Sequence, residues 1–175
     1  MKNNYKLKVY LTNLGRYNEG ELVGEWVTLP LEEDLQDILD RNGYDETHEE
    51  FFITDYDQNV DILKVGEYSN IYELSNMVDY IQSLDDYDFT KLAAYIELEG
   101  NYNINMLDDL ENIDLDDIYL YEDENIEDVA YELVHECYPE FFDNQLSNYF
   151  DYEAYARDLS LDGFNETSYG VLEVR

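Results

Sequence analysis

Leu7, Val9 and Leu11 alternate with polar or part-polar neighbours in YKLKVYLT (5–12), a period of two that predicts a strand with one buried face. GRYNEG (15–20) reads as a loop, and ELVGEWVTL (21–29) as a second strand ended by Pro30. The period then lengthens. Leu31, Leu35, Ile38 and Leu39 share one face of a helix over 31–41, closed by Asn42-Gly43, with Glu32, Glu33 and Asp34 in the first turn where the helix dipole favours acids. Residues 51–56 predict a third strand.

Helical spacing dominates the middle of the chain. Asn70 and Glu73 resemble an N-cap and its third-position partner, followed by Leu74, Met77, Val78, Ile81 and Leu84 on one face. Asp88 is placed to cap a short helix bearing Phe89, Leu92, Ala93 and Ile96, which stops at Gly100. The Asn-rich stretch 101–105 reads as a connection. Beyond it, 118–121 predicts a short strand. Asn125 caps a helix with Val129, Ala130, Leu133, Val134 and Cys137 inward, ended by Pro139. A helical pair over roughly 140–159 and a final strand over 168–174 complete the pattern. The expected class is α+β, an elongated chain of small modules: an N-terminal antiparallel sheet with a helix (1–64), a central helical module (65–103) and a C-terminal α+β module (104–175).

Composition changes this picture in one respect. The chain of 175 residues carries 44 acids against 9 Lys and Arg, a formal charge of −35, yet 45% of it is hydrophobic and 15% aromatic. Disordered acidic segments lack that apolar content, so the sequence is built to fold despite self-repulsion. Duplex DNA carries one charge per roughly 1.7 Å, so the same charge belongs to about 17–18 base pairs. A compact chain of this length has a radius of gyration of about 16 Å. The first expectation is a surface that stands in for DNA before a basic, DNA-binding protein.

The charge is unevenly spread. Residues 1–64 hold 15 acids and 6 bases, whereas 65–156 hold 25 acids and one base, Lys91. Solubility requires far less. The densest run comprises Asp108, Asp109, Glu111, Asp114, Asp116, Asp117, Glu122, Asp123, Glu124, Glu127, Asp128 and Glu132, with no base between them; these are the candidate partner-binding residues. On the helix after Asn125, Asp128, Glu132 and Glu136 repeat at i, i+4 and i+8, where like charges cost about 0.2–0.5 kcal/mol per pair. A local rule broken without compensation points to function.

Other chemistry is weakly supported. Asp55, Asp57, Asn59 and Asp61 copy four positions of a calcium loop, but Val60 and Gly66 stand where its glycine and glutamate belong. His135 and Cys137 lack the further ligands of a zinc site, and Cys137 reads as a small buried hydrophobe. No glycine loop for a phosphate or cofactor is present, and no carboxylate pair is singled out for catalysis. The expectation is a non-enzyme without cofactor or metal. A lone cysteine suits a reducing compartment, and neither a signal peptide nor a membrane span is apparent. Anionic lipid and nucleic acid would both repel the surface, so neither is an expected partner. Of the 19 tyrosines, Tyr119, Tyr121 and Tyr131 lie among acids and are candidates for an interface.

VYLTNLGRYNEGELVGEWVTLP (9–30), with its Gly24-Glu25-Trp26, resembles the opening of ArdA-type antirestriction proteins. The resemblance continues at FFITDYDQN (51–59), Lys91-Leu-Ala-Ala-Tyr95 and YFDYEAYARDL (149–159). It implies a cytoplasmic homodimer encoded on a mobile element. It also implies that this dimer mimics bent DNA and occupies the DNA-binding groove of a type I restriction-modification enzyme. An acidic inhibitor of some other basic DNA-binding protein and a calcium-loaded acidic module are the alternatives.

Overall fold

The computed structural model describes residues 1–142 and 148–174, with the side chains of 141 and 142 excepted. It is a mixed α+β chain with two three-stranded antiparallel sheets and helices between and after them. It divides into two compact units. One is Lys2–Phe89 with Asn101–Ile113; the other is Thr90–Gly100 with Met1 and the chain from Asp114 onward.

The first unit is built on β1 (Leu7–Asn13), β2 (Gly24–Leu29) and β3 (Phe51–Gln58), ordered β2-β1-β3. Register sets Leu7 opposite Leu29, Val9 opposite Val27 and Leu11 opposite Ile53, and all six are buried. Alternation therefore selects one face for the core, at about 1.5–3 kcal/mol for each large side chain buried. Ile38 of α2 (Leu35–Arg41) and Leu74, Met77, Val78 and Ile81 of α3 (Ile71–Ser83) complete that core. Asn70 caps α3 as expected, its side chain accepting the Tyr72 and Glu73 amides at 2.9 and 3.2 Å.

Three local expectations are corrected here. The stretch 15–20 is not all loop: α1 (Leu14–Asn18) is a single turn capped by Asn13, too short to show a period. The second helix starts four residues late, because the Asp34 side chain accepts the Gln36 amide and acts as N-cap. Glu33 thus lies outside the helix and forks onto Arg41 through two 2.7 Å hydrogen bonds. Likewise α4 (Asp86–Glu99) is capped one turn earlier than expected, by Asp85, which accepts the Tyr87 and Asp88 amides. The short α5 (Leu107–Glu111), also in the first unit, had no periodic signal.

In the second unit, β4 (Ile118–Glu122), β5 (Phe164–Thr167) and β6 (Gly170–Val174) are ordered β4-β6-β5. The expected single terminal strand is therefore a hairpin, its turn at Ser168-Tyr169. Val171 and Phe164 pack with Val129 and Ala130 of α6 (Ile126–Cys137) and Ala156 and Leu159 of α8 (Tyr152–Leu161). Leu120 and Leu172, facing the other way, are buried as well. In β5 only Phe164 is buried, so that strand lacks the alternation by which one is recognised. Between α6 and α8, α7 (Pro139–Phe142) begins the expected helical pair, of which residues 143–147 lie outside the described residues.

Candidate partner-binding surface

The twelve candidate acids do not form one element. Asp108, Asp109 and Glu111 belong to the first unit and the other nine to the second. Ten are exposed; Asp109 and Glu124 are half-buried. Asp109 serves the fold, since its carboxylate accepts the Asn105 and Met106 amides at 2.8 and 3.0 Å ahead of α5. Asp114 has a comparable task, capping the 3-10 turn Leu115–Asp117 through the Asp116 amide at 3.1 Å.

From β4 into α6 the acids crowd together. Glu122 ends the strand and its carboxylate meets the Met1 amino group. Asp123 takes a positive φ of 63° in the turn, held by its amide to the Tyr169 carbonyl at 3.0 Å. Asn125 caps α6 by accepting the Glu127 and Asp128 amides at 3.0 Å, and its own amide group donates to Asp128 at 2.6 Å. Asp128, Glu132 and Glu136 then follow down an exposed face. One Glu124 oxygen is out of solvent and has no hydrogen-bond partner among the described residues. Burial, and then the charges of Glu132 and Asp128, push the Glu124 carboxyl above the usual carboxylate range.

The base in this region is handled differently. Lys91, alone among 25 acids in residues 65–156, is only 5% exposed, and its ammonium donates to the Leu115 carbonyl at 2.6 Å. The surface contributed by that stretch therefore presents acids without an exposed Lys or Arg. The sequence shows how rare the base is, but not that it is buried. In the first unit Lys8 pairs with Asp57, Arg16 with Glu19, Glu21 and Asp45, and Arg41 with Glu25 and Glu33, while Lys2, Lys6 and Lys64 are exposed.

Of the candidate tyrosines, Tyr119 and Tyr131 are half exposed, whereas Tyr121 is partly absorbed into the core beside Phe164. Cys137 is exposed, contrary to expectation, because it is the last residue of α6 and lies beyond the turn whose inner face is buried. Asp55 and Asp57 lie along β3 opposite Tyr10 and Lys8, an extended placement instead of a loop.

The family model for the ArdA antirestriction protein matches residues 9–173. The chain belongs to the ArdA antirestriction family. Members of that family are antirestriction inhibitors and not enzymes. The match runs from β1 through β6 and so includes both sheets and all twelve acids. No curated protein sequence matches the chain. Among the described residues no helix is long and apolar enough to cross a membrane.

Proposed function

We propose that the chain blocks restriction as a DNA mimic, occupying the DNA-binding groove of a type I restriction-modification enzyme in the cytoplasm. The observation that carries this reading is the pairing of 25 acids in residues 65–156 with one buried lysine. A generic acidic surface would keep exposed lysines for solubility and helix support. This one forgoes both. Asp108, Asp109, Glu111, Asp114, Asp116, Asp117, Glu122, Asp123, Glu124, Glu127, Asp128 and Glu132 are the proposed contact set. Asp109 and Asp114 also cap local turns.

A homodimer would carry twice −35, the charge of about 35 base pairs, enough for a long groove reading two half-sites. Inhibition is then by occupancy, and modification is blocked along with restriction because both need the groove. Titrating a type I enzyme with this protein tests the mechanism. Inhibition should saturate near one dimer per complex and be relieved by excess specific duplex. Inactivation of excess enzyme by substoichiometric protein would overturn it.

A further inference from the structure

The outer face of the first sheet is unlike the solvated face of an ordinary antiparallel sheet, which alternation makes polar. Tyr10 and Trp26 are register partners on it, in edge-to-face contact with centroids 5.5 Å apart. Thr12 and Phe52 are register partners two residues further along, and Thr12 is fully buried on this face. Phe52 in turn carries Tyr17 edge-on at 5.5 Å and Tyr68 stacked at 6.4 Å. Trp26 remains 45% exposed and Tyr68 73%. The acidic surface described above leaves this aromatic strip unexplained.

The face already holds a cation. The Lys8 ammonium lies over the Trp26 ring, 5.1 Å from its centroid, and 3.2 Å from the Asp57 carboxylate. Asp55, opposite Tyr10 and exposed, supplies another carboxylate without a base opposite it in register. Aromatic faces interleaved with carboxylates suit guanidinium groups best, since a planar cation can stack on a ring and fork onto an acid at once. Nucleic acid is repelled by a chain of charge −35, whereas a basic protein surface is attracted to it.

We infer that this face is a second contact surface, an aromatic platform that takes arginine side chains of a basic protein partner. It goes beyond the DNA-mimic reading and requires only that the partner be basic. The only tryptophan of the chain, Trp26, sits on the platform and reports on it directly. The test titrates nine-residue arginine and lysine peptides into the wild-type protein, Trp26→Leu and Tyr68→Leu, with thermal melts to establish folding. Tyr68 is exposed enough that its replacement spares the fold.

The arginine peptide should change Trp26 emission in the wild type and bind more tightly than the lysine peptide. That preference should fall about two- to five-fold in each variant. An unchanged preference in Tyr68→Leu, or unchanged Trp26 emission at saturating arginine peptide, would overturn the inference. So would a Trp26→Leu variant whose only altered property is its self-association by sedimentation, which would assign the face to a second copy. Because no restriction enzyme is involved, failure of the DNA-mimic mechanism would leave this result standing, and the reverse holds too.

Discussion

The Tyr10 hydroxyl donates to the Gly24 carbonyl at 2.9 Å, laying the ring across the neighbouring strand where Gly24 has no side chain. A Cβ at Gly24 would stand 3.0 Å from both the Tyr10 ring and the Thr12 α-carbon, and inside contact distance of the Leu11 carbonyl. This gives the Gly24-Glu25-Trp26 motif a physical basis: the glycine admits Tyr10, and Trp26 then packs against it edge-on. Gly24→Ala should therefore destabilise the protein by about 1–3 kcal/mol, the usual cost of overpacking. Urea unfolding monitored by Trp26 emission measures it, and Tyr10→Phe should cost less, about 0.5–1.5 kcal/mol for the hydrogen bond.

A second prediction concerns His48, whose ring nitrogens meet Asp45 at 2.8 Å and Glu19 at 3.3 Å. Those two carboxylates raise the imidazole above its ordinary value, with Asp45 the larger cause. Hydrogen bonds from Thr47, and then from His48, hold Asp45 well below the usual carboxylate range. A raised histidine stabilises fully below its unfolded value, near 6.5, and loses that contribution as pH rises through the folded value. The difference in Tm between wild type and His48→Gln should be largest at about pH 6 and shrink in alkaline buffer. A difference that grew with pH would contradict the assignment.

Glu124 has the opposite sense. Its raised carboxyl takes up a proton in the folded state before the unfolded chain does, so its contribution to stability improves as pH falls toward the ordinary carboxylate range. At neutral pH its charge is a burden beside Glu132 and Asp128. Glu124→Gln should raise Tm by about one to two degrees at pH 7, and the gain should fade by about pH 4. Differential scanning calorimetry at the two pH values checks it. If the acids are held for partner binding, this stabilised variant should not bind more tightly.

Strands and helices with one buried face were legible in the sequence because a single period governs them. Leu7, Val9 and Leu11, and the row Leu74, Met77, Val78 and Ile81, are core residues as their spacing predicts. What was missed has specific causes. The strand β5 is four residues long and buries only Phe164, with Glu166 exposed, so neither length nor alternation marks it. Asp85 has rival caps in Asp86 and Asp88, and Leu31 extends the apolar row ahead of Asp34, so only backbone geometry fixes either helix start. For the candidate surface, the row of acids was legible from charge alone. The burial of Lys91 was not, because a lone lysine in the helix Lys91-Leu-Ala-Ala-Tyr95 looks like any solvated one.

Neutralisation of the acids should act cumulatively. Asp116→Asn, Glu127→Gln or Glu132→Gln alone should weaken binding to a type I methyltransferase by less than about five-fold, near the worth of one exposed ion pair. All three together should cost roughly the product of the single effects, as expected for sites without shared partners. Competition binding against labelled duplex reads each step. One single change that abolished inhibition with the fold intact would indicate a discrete site instead of a distributed surface.

The most direct test of DNA mimicry is the salt dependence of binding, measured for this protein and for a duplex of matching length on one type I methyltransferase. Duplex DNA loses affinity steeply because its condensed counterions are released as phosphates are neutralised. A folded protein spreads −35 over a broader surface and condenses fewer ions, leaving Coulombic attraction screened within about 8 Å at physiological ionic strength. Plots of log K against log salt should therefore fall for both, with the shallower slope for the protein, so that it competes best against DNA at physiological salt. A slope as steep as that of DNA would contradict the counterion argument, and a flat one would contradict mimicry itself.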